Sequence, residues 1–267
     1  MEVIMNRRGQ SLRVRFGKVI TALLLAALPA LAQEQPAATP SSQEQSKADD
    51  KKNADPKVEV SPPSGTSNDR LFYALPNFLT LENAGQLPPL TTGQKFKVVA
   101  RGTFDYVEFP WYAALAGISQ AQNSEPGYGQ GAAGYGKRYG AAFADGTIEN
   151  FMVGAVFPSL LRQDPRFYQR GTGTFWHRTG YAISRIFVTR TDAGHAQFNF
   201  SEFLGSALGA GISTYSYHPR ADRTLPNTAS VWGTQVGYDT LTIFVKEFWP
   251  DIRRKISHKQ QHDAATP

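Results

Sequence analysis

All but one of the 32 aromatic residues lie after residue 69, and this segregation decides which part of the 267-residue chain can fold. Residues 33 to 69 hold 4 Lys, 7 acidic residues and no aromatic, so they cannot bury enough apolar surface to offset the entropy of ordering. They read as a disordered tether. The 198 residues from Arg70 onward are long enough for one well-buried domain. We place that domain at residues 70 to 256, with a flexible tail at 257 to 267.

The first 32 residues read as a signal peptide. Arg7, Arg8, Arg13, Arg15 and Lys18 precede an apolar run from Val19 to Ala32, which closes on the small-x-small triplet Ala30-Leu31-Ala32. Cleavage is expected before Gln33, because the 14-residue run is shorter than the roughly 20 residues a spanning helix needs. The chain has no Cys, which excludes a disulfide scaffold and a lipid-anchored lipoprotein. The reading is therefore of an exported protein of the periplasm or outer membrane.

Removing the leader leaves 23 basic against 21 acidic residues, so much of the apparent basicity belongs to the leader. From residue 70 on, 19 basic and 14 acidic residues remain. That excess is small for nucleic acid but suits an anionic surface. A membrane surface or another envelope component is the expected partner, with no nucleic acid.

The domain reads as a series of helical stretches. One starts at Thr92 and is expected to be interrupted by Pro110, and a second runs from Trp111 to Gln122. Asp145-Gly146-Thr147 looks like a break with a new N-cap, and Asn199 with Glu202 resembles a capping box before Phe203 to Tyr217. Trp176, Ile183, Ile186 and Phe187 share one face, and a last helix covers about Asn227 to Trp249. Small residues recur four apart at Ala113/Gly117, Gly136/Gly140, Gly205/Gly209, Ala207/Gly211 and Gly233/Gly237, a spacing that lets helix backbones approach closely.

The expected fold class is mainly α: a single helical domain with Gly-rich loops and small-xxx-small packing. A small outer-membrane β-barrel is the alternative, disfavoured because strand-like alternation is not sustained.

Motifs for specific chemistry are thin. Gly129, Gly131 and Gly134 match G-x-G-x-x-G, but no strand precedes them and no βαβ unit surrounds them. Ser184-Arg185 begins like a lipid-phosphatase motif, yet Thr191 stands where its His belongs. The five His lack zinc-site spacing within the domain. No cofactor, metal or catalytic residue is therefore assigned. The rival to a non-enzymatic, membrane-associated or structural domain is an envelope hydrolase using His195 with Glu202 or Asp239. An anionic or headgroup contact is expected from two clusters that interleave basic and aromatic residues: Arg162, Arg166, Arg170, Trp176 and Arg178, then Arg253, Arg254 and Lys255.

Four segments carry a family resemblance: Gln163 to Tyr168, Ala182 to Arg185 with Val188 to Arg190, Gln197 to Ser201, and Lys246 to Ile252. They resemble a family of exported, functionally uncharacterised proteins from acidobacterial genomes. The resemblance implies an envelope protein and gives no residue a role.

Overall fold

The computed structural model describes residues 66–82 and 87–264, the segment from 258 on as helical backbone. The expected signal peptide and most of the expected tether lie outside the described residues. The tether's last residues are ordered: Ser67 N–H donates to Phe78 O, and Asp69 O accepts from Asn77 N–H.

The domain is mainly helical, 67% helix against 9% strand, and its short strands form no closed barrel. Helices α1 (Thr92–Thr103), α2 (Glu108–Gln122) and α3 (Gly131–Phe151) come first, and a π-turn at Met152–Val156 joins α3 to the short α4 (Phe157–Leu160). After these come α5 (Phe175–Phe187), α6 (Phe200–Ser216) and α7 (Leu225–Ala264). Strands β1 (Arg70–Leu71) and β2 (Leu75–Pro76) form a hairpin, and β3 (Thr80–Leu81) pairs in parallel with β5 (Phe167–Tyr168). The antiparallel order β4–β6–β7 joins Gln163–Asp164, Val188–Thr191 and Ala196–Phe198.

Several helix boundaries follow local chemistry. Thr91 and Gln94 close a reciprocal capping box on α1, which satisfies two backbone donors at the helix start. Asn199 caps α6 by accepting from Glu202 N–H, but the Glu202 carboxyl does not return to the cap. The helix break expected at Pro110 falls earlier, between Thr103 and Glu108, and Pro110 sits in the first turn of α2, where a missing N–H costs little.

The break expected at Asp145-Gly146-Thr147 does not occur; α3 runs straight through it. Tertiary contacts use these residues instead. Asp145 accepts from Ser213 and Tyr217 hydroxyls, each at 2.5 Å, and meets His218 Nε2 at 3.2 Å, while Glu125 faces His218 Nδ1 at 3.1 Å. These two carboxylates hold the buried imidazole pKa up at about 10 against its desolvation.

Of the five small-residue pairs, Gly205/Gly209 alone makes a close helix approach. A Cβ at Gly205 would lie 3.1 Å from Met152 C and Val153 N, and one at Gly209 would lie 3.7 Å from Glu149 Cα. Gly117, Gly136, Gly140, Gly211, Gly233 and Gly237 have nothing within 4 Å. Gly205→Ala should therefore lose about 1–3 kcal/mol by forcing backbone apart. Gly209→Ala should be neutral or gain up to about 1 kcal/mol of helix propensity. Thermal unfolding of the two variants checks this, and equal losses would contradict the asymmetry.

The interior is unusually polar. A small apolar cluster of Phe78, Leu90 and Val98 is buried, but so are Lys95, Arg138, Gln163, Asp164, Arg166, Arg178, Glu202 and Glu247. The stripe expected on one face of α5 is divided: Trp176 is 79% exposed and Ile183 and Phe187 are exposed, while its fourth member, Ile186, is buried with Arg178 and Ala182. Helix α6 is inverted in the same sense, exposing Phe200, Leu204, Leu208 and Tyr215 and burying Ser201, Glu202, Ser206, Ser213 and Thr214.

Candidate functional site

A cavity of about 280 Å³ lies among α1, α3 with its π-turn, α5, α6, α7 and strands β4 to β6. The π-turn contributes Val153 and Gly154 to its lining. Phe157 N–H reaches back five residues to Met152 O, and Pro158, which has no N–H to give, follows at once. Buried Lys95 fixes this corner by donating to Pro158 O, Gln163 O and both Asp192 oxygens.

One wall is acidic. Glu149 from α3, Glu202 from α6 and Asp239 from α7 line it together with Lys246, one helical turn pair beyond Asp239. Glu202 is 4% exposed, and its carboxyl is within hydrogen-bonding reach of Asp239. Glu149 Oε1 and Glu202 Oε1 are buried without a fixed donor from the protein. Desolvation drives the cluster toward its neutral forms. Burial and then the charge of Asp239 push Glu149 and Glu202 up to about 9; burial raises Asp239 and lowers Lys246. Glu108, at the start of α2, also lines the cavity and is raised to about 7 by burial and then by Asp105.

The lining also holds basic and aromatic residues. Arg166 is neutralised by Asp164, which its Nε and Nη2 grip at 2.7 to 3.0 Å. Arg190 stacks on Tyr168 with its guanidinium carbon 4.1 Å from the ring centre, and Arg185 stacks on Tyr181 at 4.9 Å. Neither Arg185 nor Arg190 has a carboxylate partner among the described residues.

The structure separates the other expected contacts. Arg178 is consumed inside, donating to Glu247 at 2.8 Å and pairing with Asp251, and Arg166 is likewise buried. These two are not surface contacts. Arg162, Arg170, Trp176, Arg254 and Lys255 are exposed, Arg254 against Asp251, while Arg253 bridges Asp69 and Glu82.

His195 lies exposed in the turn between β6 and β7 and does not line the cavity, whereas Glu202 and Asp239 meet there. The hydrolase grouping therefore loses its histidine. At the G-x-G-x-x-G loop, Arg138 donates to Gly129 O and Glu125 O. The loop turns carbonyls inward and seats a cation, the reverse of a phosphate cradle.

Sequence reasoning missed Glu149, Lys246, Arg185 and Arg190 as members of one site. Arg185, Arg190 and Lys246 lie in segments singled out above, and Gln163 to Tyr168, Val188 to Arg190, Asn199 and Ser201 from the same segments also line the cavity, whereas no signal marked Glu149.

The acidic wall has a measurable consequence. A carboxyl whose folded pKa is raised contributes stability that is present below its unfolded value near 4.5 and lost as pH rises toward 9. Glu202→Gln should flatten the fall of the unfolding midpoint over that window and stabilise the protein at pH 8 by about 1–3 kcal/mol. An unchanged pH profile would contradict it.

Among the described residues no three His, Cys, Asp or Glu are grouped to hold a metal ion. Compared with known protein families, curated proteins and solved structures, the chain matches none.

Proposed function

We propose that the chain is an exported cell-envelope protein whose helical domain associates with a membrane and binds rather than catalyses. The observation that carries this reading is the inverted polarity of α6, which buries Ser201, Glu202, Ser206, Ser213 and Thr214 and exposes Phe200, Leu204, Leu208 and Tyr215. In water an amphipathic helix buries its apolar stripe. The reverse arrangement is favoured when the exterior is itself apolar or interfacial.

Exposed Phe175, Trp176, Ile183 and Phe187 on α5 support the same reading, since the indole of Trp suits a headgroup boundary and the purely apolar side chains suit the acyl side of it. Among the described residues no helix is long and apolar enough to cross a membrane, so the proposed mode is helices lying in the interface. Exposed Arg162, Arg170, Arg254 and Lys255 add attraction to anionic lipid.

The test is flotation of the purified protein with vesicles of phosphatidylglycerol and phosphatidylcholine. The parent should float and stay bound at high salt, and Leu204→Asp with Leu208→Asp should remove most of that binding. A parent that stays wholly at the bottom of the gradient contradicts the reading.

A further inference from the structure

The cavity lining combines two guanidiniums that carry no carboxylate partner among the described residues with buried carboxyls whose Oε1 atoms lack a donor. We propose that it binds an amine-bearing phosphate ester. The phosphate would sit on Arg185 and Arg190 and the ammonium among Glu149, Glu202 and Asp239.

The cationic side argues for an oxyanion. Tyr168 and Tyr181 hold the two guanidiniums by stacking, which fixes them without cancelling their charge. Arg185 otherwise reaches Ser184 Oγ, at 3.4 Å. Their planar forks suit the several oxygens of a phosphate. Two such cations exceed what one carboxylate would balance. Arg166 faces the same cavity but is already matched by Asp164.

The acidic side argues for an ammonium. It offers three donors to surrounding acceptors, and Glu149 Oε1 and Glu202 Oε1 are buried acceptors that lack one. A metal ion fits less well, because among the described residues no three His, Cys, Asp or Glu are grouped to hold one. Val98, Val99, Val153, Phe167 and Ile243 line the space as well and suit a short carbon link. About 280 Å³ lies at the small end of ligand cavities, which fits a headgroup-sized molecule and no acyl chain.

The site does not depend on the membrane reading, which bears only on where the ester comes from. It is either a free small molecule or the headgroup of phosphatidylethanolamine.

Titration calorimetry of the whole mature protein with O-phosphoethanolamine at pH 7 tests the site. The ester should bind, and inorganic phosphate, ethanolamine and β-alanine should each bind at least about tenfold more weakly, the loss expected for one charge-assisted contact. Arg185→Gln, Arg190→Gln and Glu202→Gln, each checked by circular dichroism, should weaken the ester by a similar factor. The parent's selectivity decides the matter even if a variant misfolds. No binding of the ester, or binding of phosphate, ethanolamine or β-alanine as tight as the ester, overturns the proposal.

Vesicles separate the sources. Preferential flotation with phosphatidylethanolamine over phosphatidylcholine, competed by O-phosphoethanolamine, assigns a lipid headgroup. Ester binding in solution without that preference assigns a free ester. Ester binding without flotation on any vesicle sinks the membrane reading and leaves the site standing.

Discussion

Arg178→Ala should destabilise the domain by about 3–5 kcal/mol, the cost of leaving one partner of a buried ion pair uncompensated. The Glu247 carboxylate is fully buried and accepts from Arg178 Nε at 2.8 Å and from the backbone N–H groups of Arg170 and Gly171. Arg178 also donates to Glu247 O and pairs with Asp251, so one side chain ties α5 to two turns of α7. Lysine cannot make these bonds at once, because it offers a point charge where a fork is needed. Arg178→Lys should therefore recover little. Arg178→Ala with Glu247→Gln should lose less than Arg178→Ala alone, since no charge is then stranded. Denaturant unfolding of the three variants measures this, and a single variant within about 0.5 kcal/mol of the parent, the range of ordinary surface changes, would contradict the account.

Gly146→Ala should cost about 1–3 kcal/mol or more. Its Cβ would stand 1.8 Å from Tyr112 Oη and 2.6 Å from the ring carbon that carries it. The ring cannot easily step aside, because Tyr112 is buried and its ring packs edge-on against Phe143 at 5.4 Å. Helix propensity works the other way, favouring Ala by up to about 1 kcal/mol, and overpacking should win. Shortening the ring partner gives the control: in a Tyr112→Leu background the same substitution should cost much less. Equal costs in both backgrounds would show that the contact does not decide the outcome.

Gly146 also shows where the sequence misleads. Asp-Gly-Thr has the local chemistry of a helix start, yet Asp145 serves Ser213, Tyr217 and His218, and the glycine makes room for Tyr112. Nothing within a few residues announces either partner. By contrast, the Asn199 cap and the mainly helical class were legible, because capping and periodicity are local.

Periodicity has a blind side. It groups Trp176, Ile183, Ile186 and Phe187 on one side of α5 but not which of them point in or out. Ile186 is buried and the other three are surface. The candidate site was half legible for a related reason. Glu202 and Asp239 stand out as acids that folding could bring together, and it does, but His195, the third member of that grouping, lies exposed in the β6–β7 turn outside the cavity. Glu149, Arg185, Arg190 and Lys246 become a site only when α3, α5, β6 and α7 close together, a long-range result of burial.

The central claim is that the apolar face of α6 meets lipid while its polar face lines the interior. Because the chain has no cysteine, Leu204→Cys gives a single labelling position for an environment-sensitive nitrobenzoxadiazole probe, with Lys137→Cys on α3 as the exposed polar control. On adding vesicles that contain brominated lipid, the probe at residue 204 should shift to the blue and be quenched, and the probe at residue 137 should change far less. Emission at residue 204 that is unmoved by vesicles, in protein that remains folded, would contradict the account.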